Sequence, residues 1–158
     1  MKLCDLHTHV LPGVDDGAPR MEYALQMLRN AAAGDVELLA VTPHCNRPYE
    51  MRNYLDDSLL ARFLQLQQAA KDVPVRLVLG AEVLVDEHLP QLLRKKKIPT
   101  INGSRYLLTE FPVDANPDFF QEILQSILAL GYIPLIAHPE RYISVCQRPQ
   151  IVAPWLDM

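Results

Sequence analysis

The sequence has few cysteines, little basic charge and no long hydrophobic run, and each shortage excludes a class of protein. Its 158 residues contain three cysteines, an odd count that argues against a disulfide-stapled domain and favours a reducing, cytoplasmic setting. The 15 Lys and Arg residues are outnumbered by 19 Asp and Glu, so the chain lacks the excess of basic residues that is typical of proteins that bind nucleic acid. No apolar run approaches the roughly 18 residues that span a membrane, and membrane insertion is not expected.

The sequence also lacks the short motifs of several enzyme classes. It contains no Gly-x-Ser-x-Gly elbow, no Walker loop and no Gly-x-Gly-x-x-Gly fingerprint. None of Cys4, Cys45 and Cys146 has an arginine at the spacing with which a cysteine-dependent phosphatase brackets a phosphate loop. The cysteines are therefore not expected to be catalytic, and Cys4 is expected in the core.

Short apolar runs alternate with amphipathic stretches along the chain. Apolar residues recur at helical spacing over 20–33, 54–71 and 117–130, and a shorter helix is expected over 86–93. Strands are predicted at 2–6, 36–41, 73–79, 106–108 and 133–137, and 98–108 forms either a hairpin or an edge strand followed by a core strand. This alternation predicts a single α/β domain over 1–158 with a parallel sheet or barrel. Residues 148–158 are expected to be structureless.

Each predicted strand ends within three residues of a side chain that binds metal ions well. Any one of these residues alone is more often a surface or core residue, but the carboxyl ends of parallel strands lie on one face. We therefore expect the side chains to converge. The His-x-His pair points both imidazoles the same way from a strand, so that together they can hold one cation. The candidate ligands are His7, His9, Asp16, His44, Glu82, Glu110 and His138.

The types of these ligands indicate the metal and the chemistry. Imidazoles and carboxylates without a thiolate set suit manganese, iron or zinc. Closely spaced ions stabilise the attacking and leaving oxygens of a displacement, so hydrolysis of a phosphoester fits best, with amide hydrolysis as the neighbouring alternative. The planar guanidinium of Arg141 suits a phosphate, although a structural salt bridge is an alternative role. Arg47 is a weaker candidate for the same task.

Five motifs occur in order along essentially the whole chain. They are DLHTHVLPGVDDG at 5–17, TPH at 42–44, GAE at 80–82, LTEF at 108–111 and HPERY at 138–142. Together they closely resemble the manganese-dependent protein-tyrosine phosphatases of bacteria, a branch of the polymerase-and-histidinol-phosphatase (PHP) superfamily encoded with capsule and exopolysaccharide genes. The resemblance implies a distorted (β/α)7 barrel with up to three Mn²⁺ ions, for which iron or zinc are alternatives.

The resemblance also implies roles for individual residues. The reaction that the resemblance implies is attack on phosphotyrosine by hydroxide that the metal ions supply, while Arg141 contacts the phosphoryl group. The implied substrate is the tyrosine-rich tail of a bacterial tyrosine autokinase that regulates capsular and exopolysaccharide synthesis. The three implied ion sites are held by His7, His9 and Glu82, by Glu82, Glu110 and His138, and by Asp16 with His44.

The chain departs from this family in one respect. Family members are longer and carry a late Asp-x-His pair, whereas the 20 residues from 139 to 158 contain no histidine. We therefore expect about five βα units of a barrel truncated at its C-terminus, with two ion sites each short of a ligand. The open sheet edge favours homo-oligomers, and the isolated chain is expected to have weak or no phosphatase activity.

Two alternative functions follow from the same residues. One is another PHP phosphoesterase, for example one that acts on histidinol phosphate. The other is a catalytically impaired module that binds metal or a kinase. The Leu-Pro-Gly-Val-Asp-Asp-Gly loop and the His-Pro-Glu-Arg string favour the tyrosine phosphatase branch.

Overall fold

The chain folds as parallel strands that alternate with helices. The computed structural model describes residues 2–47 and 51–158. In these ranges the strands are β1 (Leu3–Thr8), β2 (Val36–Val41), β3 (His44–Cys45), β4 (Arg76–Leu79), β5 (Glu82–Leu84), β6 (Tyr106–Glu110) and β7 (Ile133–Ile136). The helices are α1 (Met21–Ala33), α2 (Asp57–Ala69), α3 (Leu89–Arg94), α4 (Pro117–Ala129), α5 (Ile143–Gln147) and α6 (Ala153–Leu156).

Side-chain caps fix where two of the long helices begin. The Asp56 carboxylate accepts a hydrogen bond from the backbone N–H of Leu59 at 2.8 Å, at the start of α2. The Asn116 side chain accepts from the N–H of Phe119 at 2.8 Å, and Pro117 follows at the first helical position of α4. Such caps satisfy N–H groups that have no partner within the helix. Both helices can therefore start directly after a loop.

The strands form two parallel sheets that continue into each other. One sheet has the order β1-β2-β4 and the other the order β3-β5-β6-β7. Residues 42–43 separate β2 from β3, and residues 80–81 separate β4 from β5. The backbone ladder crosses both interruptions, because Gly80 N–H donates to the Val41 carbonyl and Glu82 N–H donates to the Pro43 carbonyl. The chain thus has five parallel strand positions whose carboxyl ends share one face, as the sequence predicted.

Hydrophobic clusters lie on both sides of these strands. One cluster packs α1 and α2 against the first sheet and includes the fully buried Leu28. Another packs α3, α4 and α5 around the second sheet and includes Leu124 and Phe120. A third, smaller cluster includes strand residues such as Ala40 and Leu108. The strands are therefore covered by helices along both halves of the chain.

Three details of the sequence interpretation are wrong. There is neither a hairpin nor an edge strand at 98–101, because Ile101–Gly103 forms a short 3-10 turn in which Asn102 has a φ of 53°. Cys4 is exposed because β1 is the edge strand of its sheet. Residues 148–158 are structured, with a 3-10 turn and α6, and Trp155 stacks on Phe120 with ring centroids 4.8 Å apart.

The length and hydrophobicity of the helices bear on the expectation about membranes. Across 2–47 and 51–158, no helix is both long and apolar enough to cross a bilayer. The longest helices in these ranges have 13 residues.

Candidate metal centre

The candidate ligands gather at the carboxyl ends of the strands. His7 lies on β1, Glu110 is the last residue of β6, and His138 follows β7 by two residues. His44 and Glu82 begin the two strand segments that follow the interruptions, and they are directly paired across the ladder. The interruptions therefore turn these two side chains toward the other ligands.

Side chains pack closely around the glycine at the second interruption. A Cβ on Gly80 would lie 2.7 Å from Cδ1 of Ile101 and 3.2 Å from Cγ2 of Thr42. Real Cβ atoms avoid the first of these distances, so a larger residue would require the end of the Ile101 side chain to move away. The glycine of the GAE motif thus allows Ile101 and Thr42 to pack closely against the segment just before Glu82.

Glu82 is the hub of the cluster. Its side chain is 1% exposed, and one oxygen, Oε1, lies 2.7 Å from Nε2 of His138 and 3.2 Å from Nε2 of His7. The other oxygen, Oε2, lies 2.9 Å from Nδ1 of His44 and 3.1 Å from Nε2 of His9. Burial alone would raise the pKa of Glu82, but the imidazoles of His44, His7 and His9 hold that pKa far below its usual range. The carboxylate is therefore ionised.

Three groups of side chains offer ligand atoms within 4.8 Å of one another. The group of His7, His9 and Glu82 is a set that the resemblance implied. The group with Asp16 adds His9 to the implied pair of Asp16 and His44. His138 lies beside the second group, with Nε2 at 3.7 Å from Oε1 of Glu110. The groups are His7, His9 and Glu82; His44, Glu82 and Glu110; and His9, Asp16 and His44.

The donor atoms of this cluster fit divalent cations. Neighbouring ligand atoms in an octahedral shell of radius about 2.1 Å lie about 3 Å apart. Nε2 of His7 and Nε2 of His9 are 3.1 Å apart. Nδ1 of His44 and Oε2 of Glu82 are 2.9 Å apart and buried, yet neither atom makes a hydrogen bond. Buried polar atoms without partners are costly, and a shared cation would satisfy them.

His9 is held from both sides of its ring. Nδ1 lies 2.9 Å from Oδ2 of Asp15, and Nε2 lies 3.1 Å from Oε2 of Glu82. Burial alone would lower the pKa of His9, but the nearby carboxylates of Asp15 and Glu82 outweigh it and raise that pKa to about 9. In the absence of metal, the His9 imidazole is therefore protonated at neutral pH.

Asp15 is a residue of the centre that the sequence interpretation did not single out. Its side chain is 0% exposed, whereas that of its neighbour Asp16 is 68% exposed. Asp16 approaches His44, with Oδ1 at 3.4 Å from Nε2. The sequence signal was the Asp-Asp pair itself, since two adjacent acids in a turn point in different directions.

The two arginines differ in their relation to the cluster. Arg141 is exposed and lines the same open cavity of about 480 Å³ as the ligands. The guanidinium of Arg47 donates to both oxygens of Glu110, at 2.8 and 2.7 Å. Arg47 is therefore engaged in an ion pair with a candidate ligand. Arg141, in contrast, lies at the exposed wall of the cavity.

A larger cavity lies away from these residues. It has a volume of about 520 Å³ and lies between α2, β4 and residues 96–104. Apolar side chains such as Leu60, Phe63 and Leu77 form much of its wall, and none of the candidate ligands lines it. The chemistry therefore belongs to the smaller, more polar cavity at the strand ends.

Comparison with known proteins identifies the family. The family model described as capsular polysaccharide synthesis, CpsB/CapC, matches residues 3–158. The chain belongs to the CpsB/CapC family. This membership confirms the resemblance to capsule-type tyrosine phosphatases that the five motifs indicated.

Named relatives of this CpsB/CapC chain are tyrosine phosphatases. Tyrosine-protein phosphatase YwqE of Bacillus subtilis (strain 168) is 30% identical over 156 residues, which cover 95% of this chain and 59% of YwqE. Tyrosine-protein phosphatase CpsB of Streptococcus pneumoniae is 34% identical over 158 residues, 99% of this chain and 64% of CpsB. The chain thus spans about six tenths of the length of these relatives.

A solved structure shares the fold of the CpsB/CapC chain. It comes from crystal structures of YwqE from Bacillus subtilis and CpsB from Streptococcus pneumoniae, described as unique metal-dependent tyrosine phosphatases. The TM-score is 0.88 at 28% identity, over 98% of this chain and 63% of the other. The mixed α/β fold with parallel strands is therefore the fold of this family.

Proposed function

We propose that this chain hydrolyses phosphotyrosine in protein substrates at the cluster around Glu82. The observation that carries the proposal is the approach of four imidazoles to one buried carboxylate, on the strand-end face of an α/β fold. Relatives that align with nearly the whole chain are named tyrosine-protein phosphatases, which supports the same reaction here.

We assign the ligands to ion sites as the resemblance implies. His7, His9 and Glu82 would hold one ion, Glu82, Glu110 and His138 would hold a second, and Asp16 with His44 would hold a third. Mn²⁺ is the proposed metal, with iron or zinc as alternatives, because the donors are imidazole and carboxylate. When bound, such ions supply hydroxide near neutral pH and stabilise the oxygens of an in-line displacement.

The chain's own residues then position the substrate. Arg141 lines the cavity and donates to the phosphoryl oxygens, since its guanidinium matches their geometry. The open shape of the cavity suits a phosphotyrosine presented at a protein surface. The capsular polysaccharide role of the family supports the tail of a bacterial tyrosine autokinase as the substrate.

The proposal extends to the setting of the domain. The parallel order of the five strand positions supports a distorted (β/α)7 barrel, and residues 1–158 are proposed to form a single phosphatase domain. The three free cysteines support a reducing, cytoplasmic location. The edge strand β1 is the surface through which copies of the chain would associate.

Phosphate release from a matched pair of peptides tests the activity. The purified chain is loaded with Mn²⁺ and given a phosphotyrosine peptide or the same peptide with phosphoserine. We expect weak release from phosphotyrosine that disappears with a chelator and falls at least 100-fold in Glu82→Gln. His88→Gln is the control, since His88 is exposed and outside the cluster.

Three results would contradict the proposal. They are phosphate release that survives the chelator, an undiminished rate in Glu82→Gln, and no release by the metal-loaded chain. The last of these would indicate a module that binds metal without catalysis.

A further inference from the structure

We propose that Asp15 is a positioning residue that fixes the orientation of His9 toward the metal ions and links it to His44. The inference rests on the metal centre of the proposed function, and it concerns a side chain outside the three groups of candidate ligands. Asp16, the adjacent acid, belongs to one of those groups, so the two neighbouring aspartates have different tasks.

The hydrogen bonds of Asp15 account for this role. Oδ2 accepts from Nδ1 of His9 at 2.9 Å and from the backbone N–H of His44 at 3.0 Å. Oδ1 accepts from the backbone N–H of Gly17 at 3.0 Å. Three donors converge on one fully buried carboxylate, and both of its oxygens are engaged within the protein. Asp15 is therefore directed at the protein and not at the cavity.

The contact with His9 selects one ring tautomer. An ionised carboxylate only accepts hydrogen bonds, so Nδ1 of His9 must carry the hydrogen. The other nitrogen, Nε2, is then the atom that can bind a cation, and it faces Glu82 and His7 at 3.1 Å each. A carboxylate behind a metal-binding imidazole orients the ring and increases its basicity. Asp15 thus directs the correct nitrogen of His9 into the cluster.

The loop that carries Asp15 is packed rigidly on His9. Ala18 N–H donates to the His9 carbonyl at 3.0 Å, and Gly13 N–H donates to the Ala18 carbonyl at 2.9 Å. A Cβ on Gly17 would overlap the carbonyl oxygen and the Cβ of His9. The loop therefore closes directly over the histidine that Asp15 orients.

The same carboxylate couples two ligand groups. His9 belongs to the group with His7 and to the group with Asp16, while His44 belongs to the group with Glu110. The rings of His9 and His44 are only 4.4 Å apart between centroids. Because one oxygen of Asp15 bonds both residues, a change at Asp15 displaces ligands of more than one ion.

Asp15→Asn is the sharpest variant. Its amide offers one accepting atom where the aspartate offers two, so one orientation sets an NH₂ group against Gly17 N–H. The other orientation sets it against His9 and the His44 N–H. We expect the affinity for Mn²⁺, measured by calorimetry, to fall about 10- to 100-fold. Asp72→Asn is the matched control, since Asp72 is exposed and lies outside the centre.

A measurement on the unsubstituted chain keeps the inference testable if the variant fails to fold. In the Zn²⁺-loaded chain, ¹⁵N NMR of the histidine rings is expected to show hydrogen on Nδ1 of His9 and metal on Nε2. Metal on Nδ1 of His9, or wild-type Mn²⁺ affinity in a folded Asp15→Asn, would overturn the assignment. Neither readout requires phosphatase activity, so failure of the proposed reaction is distinguishable from failure of this inference.

Discussion

At the scale of single residues, Tyr142 fixes the backbone on which two of the candidate ligands are mounted. Its buried hydroxyl accepts from the N–H of Phe111 at 3.1 Å and donates to the carbonyl of Ala137 at 2.8 Å. Phe111 directly follows Glu110, and Ala137 directly precedes His138. His138 has a φ of 29°, a conformation that side chains rarely adopt. The final tyrosine of the HPERY motif therefore holds a strained ligand in place.

We expect Tyr142→Phe to lower the free energy of unfolding of the metal-free chain by about 2 kcal/mol, because it leaves a buried donor and a buried acceptor without a partner. Urea denaturation measures the change. Tyr106→Phe is the control and should change stability by less than about 0.5 kcal/mol, since Tyr106 is 46% exposed. Equal stability of Tyr142→Phe and the unsubstituted chain would disprove this account of the hydroxyl.

At the scale of elements, the turn between β1 and α1 shapes the centre as much as the strands do. Gly17 lets this turn fold onto His9, and its neighbours supply Asp15 and Asp16. The need for glycine at this position is steric, because a Cβ would meet backbone atoms that cannot move aside. The turn is therefore a fixed wall of the site.

We expect Gly17→Ala to destabilise the chain by more than about 2 kcal/mol, in line with a forced overlap in a packed site. Thermal unfolding monitored by circular dichroism measures the loss. Gly34→Ala is the matched control: Gly34 has a φ of −90°, and its nearest neighbour to an added Cβ lies at 3.4 Å. A melting temperature of Gly17→Ala equal to that of Gly34→Ala would contradict the argument.

The sequence predicted those elements whose pattern is local. Hydrophobic periodicity placed α1, α2 and α4 to within a few residues, and the His-x-His and GAE motifs placed candidate ligands at strand ends. Residues 149–156 escaped prediction because their short turns depend on the stacking of Trp155 on Phe120, which is a tertiary contact. Asp15 escaped because its role depends on a loop that folds back on His9.

At the scale of the whole molecule, the fold brings distant parts of the chain to one small volume. His7 and His138 are 131 positions apart in sequence, yet their rings lie 5.7 Å apart between centroids. Parallel order could be predicted from the alternation of helices and strands. The interruptions before His44 and Glu82 could not, because they depend on how Gly80 packs against Ile101 and Thr42, which are tertiary contacts.

The most direct test of the metal centre is anomalous diffraction from crystals of the chain grown with Mn²⁺. The account predicts peaks on both sides of the Glu82 carboxylate, at about 2.1 Å from the ligand atoms of His7, His9 and His138. Absence of these peaks beside Glu82 at saturating Mn²⁺, or peaks only elsewhere on the molecule, would contradict it.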